Sequence, residues 1–243
     1  MNNSYYETLD ENFTQALKLY EDNYTHDELL ELLKSGNIVQ KQIAAIRLDG
    51  INNKEEAAIL LGNLTGQDGK IREAVSKRVC EFMSCEMVEH FEQPEFYNIF
   101  LDAIIDINAN ICRNIICAIT NLKSNSNFCK IFCSSLTTLT FNLLDIIEKF
   151  DFQDGKYKVN KEVFKLYWCL ESIYEFYDKM NFEDLKEILK RSAKIQEYTI
   201  REKAAKILTN DFQNDELKKL KYDLQHDKNY YVRAIFERMN TQL

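Results

Sequence analysis

A short pattern returns along this chain. Ile71-Arg72-Glu73-Ala74-Val75-Ser76, Ile200-Arg201-Glu202-Lys203-Ala204-Ala205 and Val232-Arg233 each put a β-branched residue before an arginine. Small or apolar residues follow four and five places after Ile71 and Ile200. The pattern recurs at a period of about thirty to forty residues, the length of one helix–turn–helix unit. One such unit cannot bury its own apolar face, so neighbours must stack. This constrains the chain to an array of helical hairpins.

The composition agrees. Among 243 residues there are 6 Gly and 1 Pro, with Leu, Ile, Lys, Glu and Asn abundant. Helix breakers are scarce, so the reading is all-α. Apolar stripes and capping residues give six hairpins: Thr25–Lys34 with a helix from Asn37; Lys54–Thr65 with Lys70–Ser84; Glu95–Ile107 with Ala109–Leu122; Phe128–Phe150 with Asn160–Asp178; Phe182–Ser192 with Glu197–Thr209; Asn214–Gln225 with Asn229–Asn240. The helix from Asn37 is expected to bury Val39, Ile43 and Ile46. Residues 1–24 carry no repeat motif and are expected to form an N-terminal cap helix with Phe13, Leu17 and Tyr20 on one face. Residues 25–243 are expected to be one solenoid domain. The longest linker, Asp151 to Asn160, enlarges the fourth hairpin and is a candidate contact loop.

These residues resemble the HEAT-repeat family of α-solenoids. In that family the second helix of each hairpin opens on Val/Ile-Arg, with Asp about five residues earlier, and the Arg and Asp form a ladder along the stack. Asp227…Val232-Arg233 matches the Asp and Arg positions, and Ile200-Arg201…Ala204-Ala205…Leu208 matches the packing positions. Asp106…Ile111 matches, but Cys112 stands where Arg is expected, and Val39-Gln40 also lacks it. The resemblance covers about Thr25 onward. It implies a right-handed α-solenoid of about six HEAT-like hairpins, with the second helices lining a concave face.

Chemistry finds little footing. His26, His90 and His226 lie far apart, with no second histidine at ligand spacing. The 7 cysteines sit mostly in apolar helical stretches and read as small buried hydrophobes. Cys129 and Cys133, four apart, are the nearest approach to a metal pair. No phosphate-binding glycine loop or nucleophile elbow is present. The expectation is therefore no enzyme, no metal and no cofactor.

The remaining readings concern partners. The formal charge is −8 and the pI about 5.1, which repels nucleic acid and anionic membranes at long range. No apolar run reaches the ~20 residues of a membrane span, and the first residues lack a signal-peptide pattern, so a cytoplasmic location is expected. The second helices carry a basic excess and the first helices an acidic one. Because the family's fold works by offering surface, the expected function is a non-catalytic scaffold holding another protein. Glu73, Lys77, Arg113, Glu202 and Lys206 follow the helix anchors and are the candidate contacts. Trp168, the only Trp, stands in an aromatic stripe that could stack a flat ligand or form core. Two alternatives rest on the resemblance alone. One is nucleic-acid binding like the HEAT-like alkylpurine DNA glycosylases, although Ser172 stands where an Asp would be sought. The other is a tetrapyrrole-protein role like that of the phycobilisome lyases.

Overall fold

The computed structural model describes Thr14, residues 21–150 and residues 159–240. The expected cap helix, with Phe13, Leu17 and Tyr20, and most of the Asp151–Asn160 linker lie outside the described residues. The helices are α1 His26–Ser35, α2 Ile38–Arg47, α3 Lys54–Leu61, α4 Gly69–Met83, α5 Tyr97–Ala103, α6 Ala109–Thr120, α7 Ser126–Ile147, α8 Asn160–Phe176, α9 Phe182–Ser192, α10 Tyr198–Ile207, α11 Asp215–Gln225 and α12 Tyr230–Asn240. No strand occurs among the described residues.

Short polar side chains start most of these helices. Thr25 accepts from the Glu28 amide while the Glu28 side chain returns to the Thr25 amide, and Asn37 and Gln40 repeat this reciprocal cap for α2. Asn53, Asn108, Asn125, Asn181 and Asn214 each accept from an amide in the first turn of the following helix. Each satisfies a donor that the helix itself leaves unpaired. Gly66, at φ +69°, takes the left-handed conformation in the turn before α4, where a Cβ would add strain.

The chain divides into two compact units, Met1–Ala103 with Asn108–Leu122 and Ile104–Ile107 with Lys123–Leu243. In the first unit α2, α4 and α6 lie side by side as one layer, backed by α1, α3 and α5. Leu33, Ala44, Ala45, Leu60, Ile71, Val75, Phe100 and Ile115 are closed off between the layers. In the second unit α8, α10 and α12 form the corresponding layer, backed by α7, α9 and α11. An aromatic cluster lies under α7 and α8: Phe128 stacks on Phe132 at 5.0 Å, and Phe176 tilts against Phe132 at 5.4 Å. Each unit is thus a stack of three helical hairpins, and the fold is an all-α solenoid.

Four sequence expectations change. The expected helix Glu95–Ile107 is shortened to a 3-10 turn at Pro94–Phe96 and α5, with a separate 3-10 segment at Glu86–Phe91 before it; Pro94 supplies no amide to continue a helix from before it. In α2 the buried face is Ile43, Ala44 and Ala45, while Ile46 is 43% exposed and Val39 half-buried. The alanines permit close approach to the neighbouring helices, which turns the stripe of larger residues partly outward. The 22-residue α7 is long and apolar enough to cross a membrane by length and composition, contrary to the run-based reading. Only Lys130 and Asp145 are charged in it, and its serines and threonines break the apolar run while the mean hydropathy stays high enough for a span. Phe128, Phe132, Leu136 and Leu144 on this helix are buried, as a core helix requires. Finally, α8 ends at Phe176 in a 3-10 turn, two residues earlier than expected.

Candidate partner-binding face

In each unit the second helices of successive hairpins are neighbours, so equivalent positions on them form rows. In the first unit the contact between α4 and α6 is built from polar rungs. Glu73 accepts from Asn108 Nδ2 at 3.0 Å and Asn110 Nδ2 at 2.8 Å. One turn on, Ser76 Oγ accepts from Asn114 Nδ2 at 3.1 Å. Glu73 is therefore occupied within the stack and not an open contact. Arg78 ties α4 to α2 by donating to the carbonyls of Ala45, at 3.1 Å, and Ile46. Lys77 and Arg113 remain on the surface. The Lys77 side chain is 74% exposed, with Glu81 at 4.0 Å as a distant partner. Arg113 is exposed and donates to Asn110 Oδ1 at 3.2 Å.

In the second unit the rungs carry charge. Arg201, 6% exposed, donates to both carboxylate oxygens of Asp227 at 2.7 and 3.1 Å, and to the carbonyls of Ile195 and Gln196 at 2.8 and 2.7 Å. Asp227 belongs to the next hairpin, and its own carbonyl accepts from Arg233 at 2.6 Å. Burial alone would raise the Asp227 pKa, but the Arg201 hydrogen bonds, the Asn229 amide and the positive charges of Arg201 and Lys228 together outweigh it and hold the carboxyl below its ordinary range. Arg72 likewise donates to a carbonyl of its own turn, that of Gln67.

Between α8 and α10, Glu171 accepts from Lys203 at 2.6 Å and Lys206 at 2.7 Å. Lys203 lies over the Tyr167 ring at 4.4 Å and Lys206 over Tyr174 at 4.1 Å. Burial works against both charged partners here, yet the Lys203 and Lys206 hydrogen bonds lower the Glu171 pKa and the Glu171 hydrogen bond raises that of Lys203. Lys206 is thus engaged rather than open, and Glu202 is half-buried. Sequence reasoning missed Glu171 and its two tyrosines. Their spacing, with Tyr167, Glu171 and Tyr174 on one stripe of α8, is the signal that could have found them.

Trp168 does not offer a stacking surface. It is 6% exposed and meets Phe164 and Tyr167 edge-on at 6.2 and 5.2 Å. Its indole N–H has no hydrogen-bond partner. The structure therefore places Lys77 and Arg113 at exposed positions on two helices that pack against each other, and Glu73, Trp168 and Lys206 in internal contacts.

A cleft of about 610 Å³ runs along the N-terminal half of α7 to the start of α9, with Lys123, Lys130 and Lys179 on its walls. Cys129 and Cys133 also line it. Burial raises the pKa of both thiols, that of Cys133 to about 12, so neither is a ready nucleophile near neutral pH. Among the described residues no group of three or more His, Cys, Asp or Glu is placed to hold a metal ion. Nor do the histidines converge: His26 faces Glu56 at 2.8 Å, and the His226 ring is tilted against Tyr222 with centroids 4.3 Å apart.

No protein-family model matches this chain, and no curated protein matches it. Among solved structures it is similar to an engineered protein at 13% identity and TM-score 0.46, covering 89% of this chain and 95% of that one. It is also similar to a designed armadillo repeat protein at 14% identity and TM-score 0.42, covering 86% of this chain and 95% of that one.

Proposed function

We propose that the chain is a non-catalytic, cytoplasmic scaffold of HEAT-type repeats that holds another protein on the layer of its second helices. The observation that carries this reading is what the rungs leave over. Glu73 is held between two asparagine amides, while Lys77 and Arg113 stay exposed on adjacent second helices of the first unit. Such a pair suits a carboxylate-bearing segment of a partner protein. The HEAT assignment is supported by Arg201 and Asp227, which join successive hairpins as that family's arginine–aspartate ladder does. The same ladder argues against nucleic acid. Arg72, Arg201 and Arg233 spend their guanidinium groups on carbonyls and Asp227, so they are not free to neutralise phosphates, and a phosphate-binding surface needs a dense basic stripe.

Affinity capture from cells that naturally contain the protein, read by mass spectrometry, tests this. A protein recovered in near-equal amount, released as salt is raised, is the expected result. Recovery of nuclease-sensitive nucleic acid, or of a coloured tetrapyrrole without a protein partner, would replace the proposal.

A further inference from the structure

We propose that Cys80 and Cys117 form a redox modification site, a dithiol that a hydroperoxide closes reversibly into a disulfide between α4 and α6. The register of the two helices carries the inference. The rung from Glu73 to Asn110 and the rung from Ser76 to Asn114 fix how α4 lies against α6. One further turn along both helices the same register sets Cys80 of α4 opposite Cys117 of α6. The cysteines thus occupy the third rung of a series whose first two are polar pairs. No other pair of second helices in the first unit packs as extensively as α4 and α6.

The two sulfurs are not equivalent. Cys117 is exposed and Cys80 half-buried. Burial, then the contact with Cys117, push the Cys80 thiol up to about 12, so Cys80 stays protonated and the exposed Cys117 meets the oxidant. The Cys117 sulfur attacks the peroxide O–O bond, giving a sulfenic acid and releasing water or an alcohol. The Cys80 thiol, a poor nucleophile while it holds its proton, attacks the Cys117 sulfur as that proton passes to the departing hydroxyl, its fixed place on the same rung supplying the proximity. The S–S bond forms, and the hydroxyl departs with the Cys80 proton as water. Two thiols are oxidised and one peroxide is reduced. A dithiol reductant reverses the step by exchange. Lys77 and Arg113 precede these cysteines by one turn, so the crosslink would sit beside the proposed contacts.

The test treats dilute, fully reduced protein with a small excess of hydrogen peroxide, followed by peptide mapping and thermal melting. The expected products are a peptide linking Cys80 to Cys117 and a higher melting temperature, both reversed by dithiothreitol. Cys85→Ser, which removes the other exposed cysteine, is expected to leave the linked peptide unchanged. In Cys80→Ser the linked peptide is expected to vanish and Cys117 to proceed to sulfinic acid. The proposal is overturned if wild-type Cys117 is over-oxidised, pairs with Cys85 or links two chains while Cys80 remains a free thiol. A linked protein that melts below the reduced one would also overturn it.

Discussion

At the scale of single residues, stability concentrates where hairpins meet. Ala204 and Ala205 are fully buried on α10, where a larger side chain has no room. Ala204→Leu should therefore cost about 1–3 kcal/mol by overpacking, measured by denaturant unfolding; an unchanged midpoint would place Ala204 outside the packed contact. Asp227→Ala should cost more, about 3–5 kcal/mol, because it strands the Arg201 guanidinium in a buried setting. The acid dependence follows from the same pair. The Asp227 pKa is held below its ordinary 3.8 in the folded state, so the pair's stability is present above that value and is lost as pH falls through the folded one. Acid unfolding of Asp227→Ala should accordingly show a shallower stability loss below about pH 4 than wild type.

At the scale of helices and hairpins, much of the architecture was legible and the reasons for the rest are physical. The anchors Ile71, Ile111, Ile200 and Val232 are all buried, because β-branched residues at one helix position must meet the preceding hairpin. The caps at Thr25 and Asn108 were readable because a helix start needs an acceptor side chain. Ile46 was misjudged because a stripe of large residues does not reveal that two alanines bring the neighbouring helices closer. Glu73 and Lys206 bond to residues of other hairpins and Trp168 packs against Phe164 and Tyr167 of its own helix, which one sequence does not show because it gives the period but not the rotation of each helix. The hairpins of α1 and α3 supply a further test. His26 lies 2.8 Å from Glu56 and 3.5 Å from Asp49. Burial pushes its pKa down, but hydrogen bonds and charge from Glu56 and Asp49 raise it above 6.5 overall. A raised folded pKa gives stability that is full below the unfolded value and lost as pH rises through the folded one. The melting difference between wild type and His26→Gln should thus be larger near pH ~5.5 than near pH ~8.5. Equal differences at the two pH values would mean that the imidazolium contributes nothing.

At the scale of the whole molecule, the proposed function rests on what the stacked hairpins leave exposed. With its ladder arginines engaged and a net charge of −8, the protein should bind duplex DNA no tighter than about micromolar at physiological salt. A fluorescence titration checks this, and a nanomolar complex with a steep salt slope would contradict it. The central claim is that a protein partner sits on the exposed second-helix positions. Its most direct measurement is capture of partners from the same lysate by wild type and by a Lys77→Glu/Arg113→Glu variant, quantified by mass spectrometry. Both positions are exposed, so the variant should fold with unchanged helicity. The account predicts that one protein held by wild type is reduced at least about tenfold on the variant, equivalent to about 1.4 kcal/mol. Equal recovery of that protein on the two baits, with the variant's helicity intact, would contradict it.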